Sequence, residues 1–193
     1  MLSYKESLKI LKETDALLEG HFILSSGLHS EKYVQCAKLL SKPNKAKNLC
    51  LSLAEKINKN FPNIDLILSP AIGGIVVGYE IGRILNKETI FAERIDKNFC
   101  LRRGFQIKMG QKVLIVEDVI TTGKSSLECS KLARNVDAEI IGYACLIDRS
   151  DGKSQINKKI ISQVEIQIPT FDKKNLPKHL QNIKANKPGS REL

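Results

Sequence analysis

The chain contains no tryptophan, and aromatic residues make up only 5% of its 193 positions. Proteins that hold single-stranded nucleic acid stack bases on aromatic side chains, and such platforms are scarce here. The five cysteines, at 36, 50, 100, 129 and 145, are odd in number, widely spaced and without a CxxC pair. That pattern argues against both a disulfide framework and a zinc site. The three histidines, His21, His29 and His179, form no metal-ligand spacing either. No run approaches the roughly 18 consecutive apolar residues that a membrane helix needs. The N-terminal MLSYKESLKILKETDALLEGHF is charged and amphipathic and lacks the apolar block of a secretory signal. A cytoplasmic protein with no membrane partner is the expectation.

Charge is plentiful, and one sign is in excess. Lysine and arginine number 31 against 21 acids, a net charge of +10. A basic balance suits an anionic partner. The lysines are spread along the chain, however, and no RNP, zinc-finger or basic-zipper pattern appears. A solvated lysine-rich surface is expected, with small polyanionic ligands favoured over nucleic acid. At 42% hydrophobic residues the chain can bury one sizeable core, so 1–193 reads as a single domain. Within it, 1–40 forms an N-terminal segment, 41–170 an α/β core and 171–193 a polar tail.

Apolar positions at Tyr4, Leu8, Leu11 and Leu18 predict a helix over 4–18, closed by Gly20. The following GHFILSSGLHSEKYVQC predicts an extended segment with a tight bend at its Ser/Gly turn. Pro43 opens a second helix with Ala46, Leu49, Leu53 and Ile57 on one face. Strands are then predicted at 65–69, 89–93, 112–119 and 139–148, with helices at 74–86 and 125–135 between them. VEIQI at 164–168 reads as an edge strand. Alternating β and α elements imply a mostly parallel sheet with helices on both faces. Residues 94–110 interrupt the pattern as a long basic loop, and loops of that length tend to be functional lids or disordered.

The stretch VLIVEDVITTGKSS, residues 113–126, raises the question of chemistry. Its Gly123-Lys124-Ser125 mimics the end of an ATP-binding P-loop. Such a loop requires a glycine five residues before Gly123, and that residue is Asp118. A carboxylate there would repel the phosphates the loop must cradle. The match is a decoy. What the residues describe is a buried strand, two acids, a Thr-Thr-Gly turn and a helix. Ligands bind beyond the C-terminal ends of parallel strands. The turn offers hydroxyls and backbone N–H groups at a helix N-terminus, which suits a phosphate. The acids suit neutral hydroxyls, a cation or a developing positive charge. A ribose 5-phosphate has both kinds of group.

This run resembles the phosphoribosyl-pyrophosphate (PRPP) signature of the type I phosphoribosyltransferases: apolar residues, two acids, an apolar pair, then Thr-Thr-Gly. GHFILSSGLHSEKYVQC, FAERIDKNFCLRRGF, LIDRSDG and the closing KPGSR flank it in an order similar to that of the orotate phosphoribosyltransferases. The resemblance implies a type I phosphoribosyltransferase fold, with the N-terminal segment as a small hood over the α/β core. It implies transfer of phosphoribose from PRPP to orotate, giving orotidine 5-monophosphate and pyrophosphate in pyrimidine (UMP) biosynthesis. It also implies Mg²⁺ as cofactor and a homodimer that shares the 94–110 loop between subunits.

Roles follow from the same resemblance. Glu117 and Asp118 would grip the ribose hydroxyls, directly or through Mg²⁺ carried by PRPP. Thr121, Thr122, Gly123, Lys124 and Ser125 would hold the 5-phosphate, with Val119 and Ile120 also at the PRPP site and Thr121 also lying near orotate. Ala71, Ile72 and Gly73 occupy the pyrophosphate loop. Many relatives have a lysine there, so the grip would come from backbone N–H groups and Mg²⁺. Arg149 matches the arginine that holds the orotate carboxylate, which a guanidinium fork fits better than a lysine does. Ser26 and Tyr33 would cover the base, with Ser25 where many relatives have a lysine. Arg94, Lys97, Arg102 and Arg103 would supply the loop's catalytic cations. Transfer to another base, or PRPP binding by a transcriptional regulator, are the alternatives. A neutral purine would leave Arg149 without a partner, and about 20 residues before the first motif are too few for a helix-turn-helix.

Overall fold

The computed structural model describes residues 1–24 and 26–188; Ser25 and residues 189–191 of the closing KPGSR lie outside the described residues. Helix α1 (Tyr4–Glu13) starts on a capping box, the Glu6 N–H donating to the Ser3 hydroxyl and the Ser3 N–H to the Glu6 carboxylate. It stops well before the expected 18. The Thr14 hydroxyl donates back to the Ile10 carbonyl, and Asp15 takes a left-handed φ of 56°. Strand β1 (Leu17–Ile23) then begins, so Leu18 and Gly20 are strand residues and no helix stop. β1 pairs antiparallel with β2 (His29–Val34), the bend read from the Ser/Gly turn. A short helix α2 (Cys36–Leu40), unforeseen in the sequence, leads into α3 (Pro43–Asn60), which buries Ala46, Leu49, Leu53 and Ile57.

The core elements follow in the expected alternation. They are β3 (Leu66–Pro70), α4 (Gly73–Leu85), β4 (Glu88–Ile95), β5 (Asn98–Cys100), β6 (Lys112–Ile120), α5 (Lys124–Arg134), β7 (Glu139–Asp148) and β8 (Ile160–Glu165). The six strands stand in the order β5-β4-β3-β6-β7-β8, and all but β5 are parallel. Val113 to Val116 at the centre are fully buried, as strands covered on both faces must be. Side-chain alternation divides the core in two. Ile67, Leu114 and Val116 pack with α3 and α4, whereas Leu68, Val113 and Ile115 pack with Cys129 and Ala133 of α5.

Two further expectations need correction. The 94–110 segment is only in part a loop, because Arg94 and Ile95 complete β4 and residues 98–100 return as β5. Asp96 and Lys97, at φ 46° and 71°, form the two-residue turn between them. The edge strand exists, but β8 starts at Ile160 and ends at Glu165, its partners on β7 running from Tyr143 to Asp148. The polar tail also does more than its composition suggests. Its β9 (Thr170–Phe171) joins β1 and β2 as a third strand, and the short α6 (Lys178–Gln181) follows. Beyond α6, the Ile23 N–H donates to the Asn186 carbonyl at 2.8 Å. Among the described residues the tail is therefore part of the hood.

Candidate active site

The chain leaves β3 through α4 toward β4 on one side of the sheet order, and leaves β6 through α5 toward β7 on the other. The ends of β3 and β6 thus flank a topological switch point, where open α/β sheets form a crevice. Ala71, Ile72 and Gly73 stand at one lip, joined by a cis peptide between Ala71 and Ile72. Glu117 and Asp118 stand at the other. The two lips touch because Gly73 has no side chain. A Cβ there would lie 2.7 Å from both Asp118 carboxylate oxygens. Ile72 itself is 85% exposed.

Both acids lie in a poorly solvated setting. Burial pushes the Glu117 carboxyl up to about 7, against a hydrogen bond from the Ser126 hydroxyl that favours the ionised form. The charge of Arg94 acts in the same direction as that bond. Burial also raises Asp118, against N–H bonds from Val119 and from its own backbone. Desolvated neighbouring carboxylates attract hydroxyl donors and cations, either of which relieves the cost of ionisation.

The turn after β6 exposes the side chains of Thr121 and Thr122, while Ile120 is buried. Gly123 takes a φ of 78° as the N-cap of α5, and a Cβ there would meet Ile156 at 2.7 Å. The Gln155 N–H donates to the Thr122 carbonyl at 2.9 Å, so residues 154–156 brace the turn from behind. Ser125 and Lys124 open the helix, with the Lys124 Nζ 4.0 Å from Glu128. The backbone N–H groups at this N-terminus face the same strand ends as the acids.

One strand further, the Arg149 N–H donates to the Ile120 carbonyl at 2.8 Å. Its Nε is buried and has no hydrogen-bond partner among the described residues. Burial lowers the guanidinium pKa, while Tyr33 and Cys36 lie close enough to counter that shift. The neighbouring acids do not neutralise it. Asp148 accepts from the Ser150 N–H at 2.7 Å, and Asp151 is held by Lys153 at 3.0 Å and Gln167 at 2.6 Å. Tyr33 is half-buried, its ring 5.8 Å from that of Phe22 in the hood. Ser26 is exposed in the hood turn, its hydroxyl 3.4 Å from the Leu28 N–H.

Three of the four expected loop cations meet a carboxylate in this structure. Arg94 meets Glu128 at 2.5 Å and the Lys97 carbonyl at 2.6 Å, and stacks 4.1 Å above Phe99. Lys97 is exposed at the hairpin tip. Arg102 and Arg103 both turn to Glu93, at 3.5 Å and 2.6 Å. Sequence reasoning missed Glu93, Ser126 and Glu128 altogether. Each acts by reaching across elements, and no local spacing signals that. A cleft of about 540 Å³ beside the hood is lined by Glu31, Lys32, Asp148, Asp151 and Glu165, away from the two acids.

Residues 39–182 match the model of the phosphoribosyl transferase domain. Over 188 residues, covering 97% of both chains, the sequence is 45% identical to the orotate phosphoribosyltransferase of Erythrobacter litoralis. The chain belongs to the orotate phosphoribosyltransferase family. Solved structures extend the likeness at the level of fold. The orotate phosphoribosyltransferase of Aeropyrum pernix superposes with a TM-score of 0.70 at 23% identity, over 82% of this chain and 92% of that one. The adenine phosphoribosyltransferase of Saccharomyces cerevisiae reaches 0.65 at 18% identity, over 81% and 99%. One fold thus serves different bases, and membership of the orotate family rests on the sequence relatives.

Proposed function

We infer that the chain transfers the 5-phosphoribosyl group from PRPP to orotate, releasing orotidine 5-monophosphate and pyrophosphate in pyrimidine biosynthesis. The observation that carries this reading is Arg149, at the end of β7, whose buried Nε lacks a hydrogen-bond partner among the described residues. β7 is the strand next to the acid pair and the Thr-Thr-Gly turn, with Ile120 opposite Asp148. A planar base bearing a carboxylate satisfies that guanidinium. A neutral purine does not.

In this reading Thr121 to Ser125 hold the 5-phosphate, with Val119 and Ile120 shaping the floor beneath it. Glu117 and Asp118 hold the ribose hydroxyls, and Ala71 to Gly73 receive the pyrophosphate through backbone N–H groups. Arg149, Thr121, Ser26 and Tyr33 orient orotate from the β7 and hood sides. As pyrophosphate leaves C1 of the ribose, positive charge grows on the ring, and the two carboxylates stabilise it. Orotate arrives as an anion, so N1 needs no strong base. The hood and the loop exclude the water that would otherwise intercept the sugar.

Mg²⁺ fits the donor set. Among the described residues no cluster of three or more His, Cys, Asp or Glu side chains that could hold a metal ion exists. Two adjacent burial-raised carboxylates are suited instead to a cation that arrives on PRPP, directly or through its hydroxyls. Bound there, Mg²⁺ supplies charge neutralisation on the leaving pyrophosphate.

The working form in this proposal is a homodimer. Ile72, Val76 and Tyr79 are 85%, 51% and 66% exposed and recur along one side of α4, an unusual apolar stripe for a free surface. Thr89, Phe91 and Glu93 alternate with the inward Ile90 and Ala92 and so point to the α4 side, where Glu93 holds Arg102 and Arg103. A second copy docked on the stripe would receive those cations. No helix among the described residues is long and apolar enough to cross a membrane. The buried free thiols suit a reducing cytoplasm, where we place the protein. The test is consumption of orotate by the purified protein with PRPP and Mg²⁺, against adenine as control. PRPP with Mg²⁺ should also raise the melting temperature more than ATP does. Turnover of adenine in preference to orotate, or stronger stabilisation by ATP, would overturn the reading.

A further inference from the structure

We infer that Glu93 is a positioning residue that anchors the 102–105 turn through Arg103 and leaves Arg102 as the cation available to the donor's pyrophosphate. The inference rests on the PRPP reading above and divides labour between two arginines that the sequence leaves equivalent.

The geometry is asymmetric. Arg103 places Nε and Nη2 on one Glu93 oxygen at 2.8 Å and 2.6 Å, and its guanidinium lies 5.7 Å above the Phe91 ring. Arg102 makes one long contact, Nη1 to the other oxygen at 3.5 Å. The carboxylate is the sheltered partner, 19% exposed against 58% and 60% for the two arginines. Backbone geometry supports the same division. The Phe105 N–H donates to the Arg102 carbonyl at 2.9 Å, while Arg103 and Gly104 take φ values of 59° and 75°. That tight turn holds Arg103 in a left-handed conformation, which a non-glycine residue keeps only when its surroundings compensate. Two contacts to Glu93 and the Phe91 face do so.

Charge counting gives the second half of the inference. One carboxylate faces two guanidiniums, so the cluster carries one uncompensated positive charge. Its place matters. The Ala71 N–H donates to the Ala92 carbonyl at 2.8 Å, so Glu93 follows directly the strand position that holds the start of the 71–73 loop. Ile72 of that loop also begins the exposed α4 stripe, so in the dimer proposed above the surplus cation faces the second copy's pyrophosphate site, and the loosely held Arg102 is the one free to swing.

The experiment measures binding of inorganic pyrophosphate with Mg²⁺ by calorimetry, the Michaelis constants for PRPP and orotate, and amide exchange over 98–106. Arg102→Ala should weaken pyrophosphate about tenfold and leave exchange unchanged, and Arg102→Lys should recover most of that loss, because a free charge needs no fork. Glu93→Gln and Arg103→Ala should each speed exchange in the turn and raise the PRPP constant several-fold, about as far as their double mutant does, with the orotate constant unmoved. Arg103→Lys should resemble Arg103→Ala, since a lysine cannot reproduce the two-nitrogen contact. Wild-type exchange and pyrophosphate affinity in Glu93→Gln would overturn the anchoring role, as would fully additive effects of Glu93→Gln and Arg103→Ala. Wild-type pyrophosphate affinity in the double variant Arg102→Ala with Arg103→Ala would instead sink the assignment of these cations to the donor, whatever Glu93 does.

Discussion

A buried guanidinium nitrogen with no acceptor among the described residues costs stability unless a ligand supplies one, which makes Arg149, through its Nε, a sensitive residue. Its backbone is pinned to Ile120 and its neighbouring acids are engaged elsewhere, so truncation should not let another side chain take over. Arg149→Ala is expected to raise the orotate Michaelis constant and lower efficiency by about 2–4 kcal/mol, with PRPP binding retained. Steady-state kinetics with each substrate varied in turn checks this. Orotate kinetics equal to wild type would remove the carboxylate role. At the same scale, Ser126 shows what local reading misses. Its hydroxyl bonds Glu117 across the strand-to-helix turn, and nothing in a double serine at a helix start announces a partner nine residues back.

The strand ends and the turns behind them form the crevice, and close backbone approach controls it. Gly73 has an ordinary φ, so an alanine there meets a purely steric obstacle, the Asp118 carboxylate 2.7 Å from the new Cβ. The carboxylate must move, since the helix start cannot. Gly73→Ala should therefore reduce efficiency with PRPP by about 1–3 kcal/mol while the melting temperature changes little. Kinetics combined with a thermal melt separates this from a folding defect. An enzyme with wild-type PRPP kinetics would show that Asp118 need not hold its observed position. Element boundaries also explain the corrected 94–110 loop. A hairpin turn built on Asp96 and Lys97 lacks the glycine or asparagine that usually announces one, so its strands read as loop.

At the scale of the whole molecule, the proposed dimer, docked on the apolar α4 stripe beside the arginine cluster, predicts a site completed by the second copy. Asp118→Asn removes an acid, and Arg102→Ala with Arg103→Ala removes loop charge. Each homodimer should be nearly inactive. In a mixed dimer one site collects both damaged parts and the other collects neither. Random pairing of equal amounts makes half the dimers mixed, so recovered activity should approach about a quarter of wild type for a two-fold dimer. Co-refolding the two variants and assaying orotate consumption tests it. Activity no greater than the mean of the separate variants would rule out sharing.

The local order of strands and helices was legible in the chain because periodicity and capping are local. DLILS, KVLIVEDV and EIIGYACLID read as strands, and strands occur at all three, with most of their central residues buried. The run VLIVEDVITTGKSS carried the type I phosphoribosyltransferase signature and the rejection of an ATP loop, since an acid at 118 is incompatible with a P-loop's phosphate cradle, and the flanking motifs narrowed it to the orotate family. Tertiary structure decided what depends on distant pairing. It ended α1 early because Leu17 and Leu18 are needed opposite Val34 and Tyr33 in the hood. It folded the polar tail back as β9 against His29 and Ser30, through backbone hydrogen bonds that composition does not encode. It set Asp118 over Gly73, and it gave Arg102 and Arg103 unequal shares of Glu93. A sequence specifies which side chains are charged; only the packed chain determines which charges are already spent.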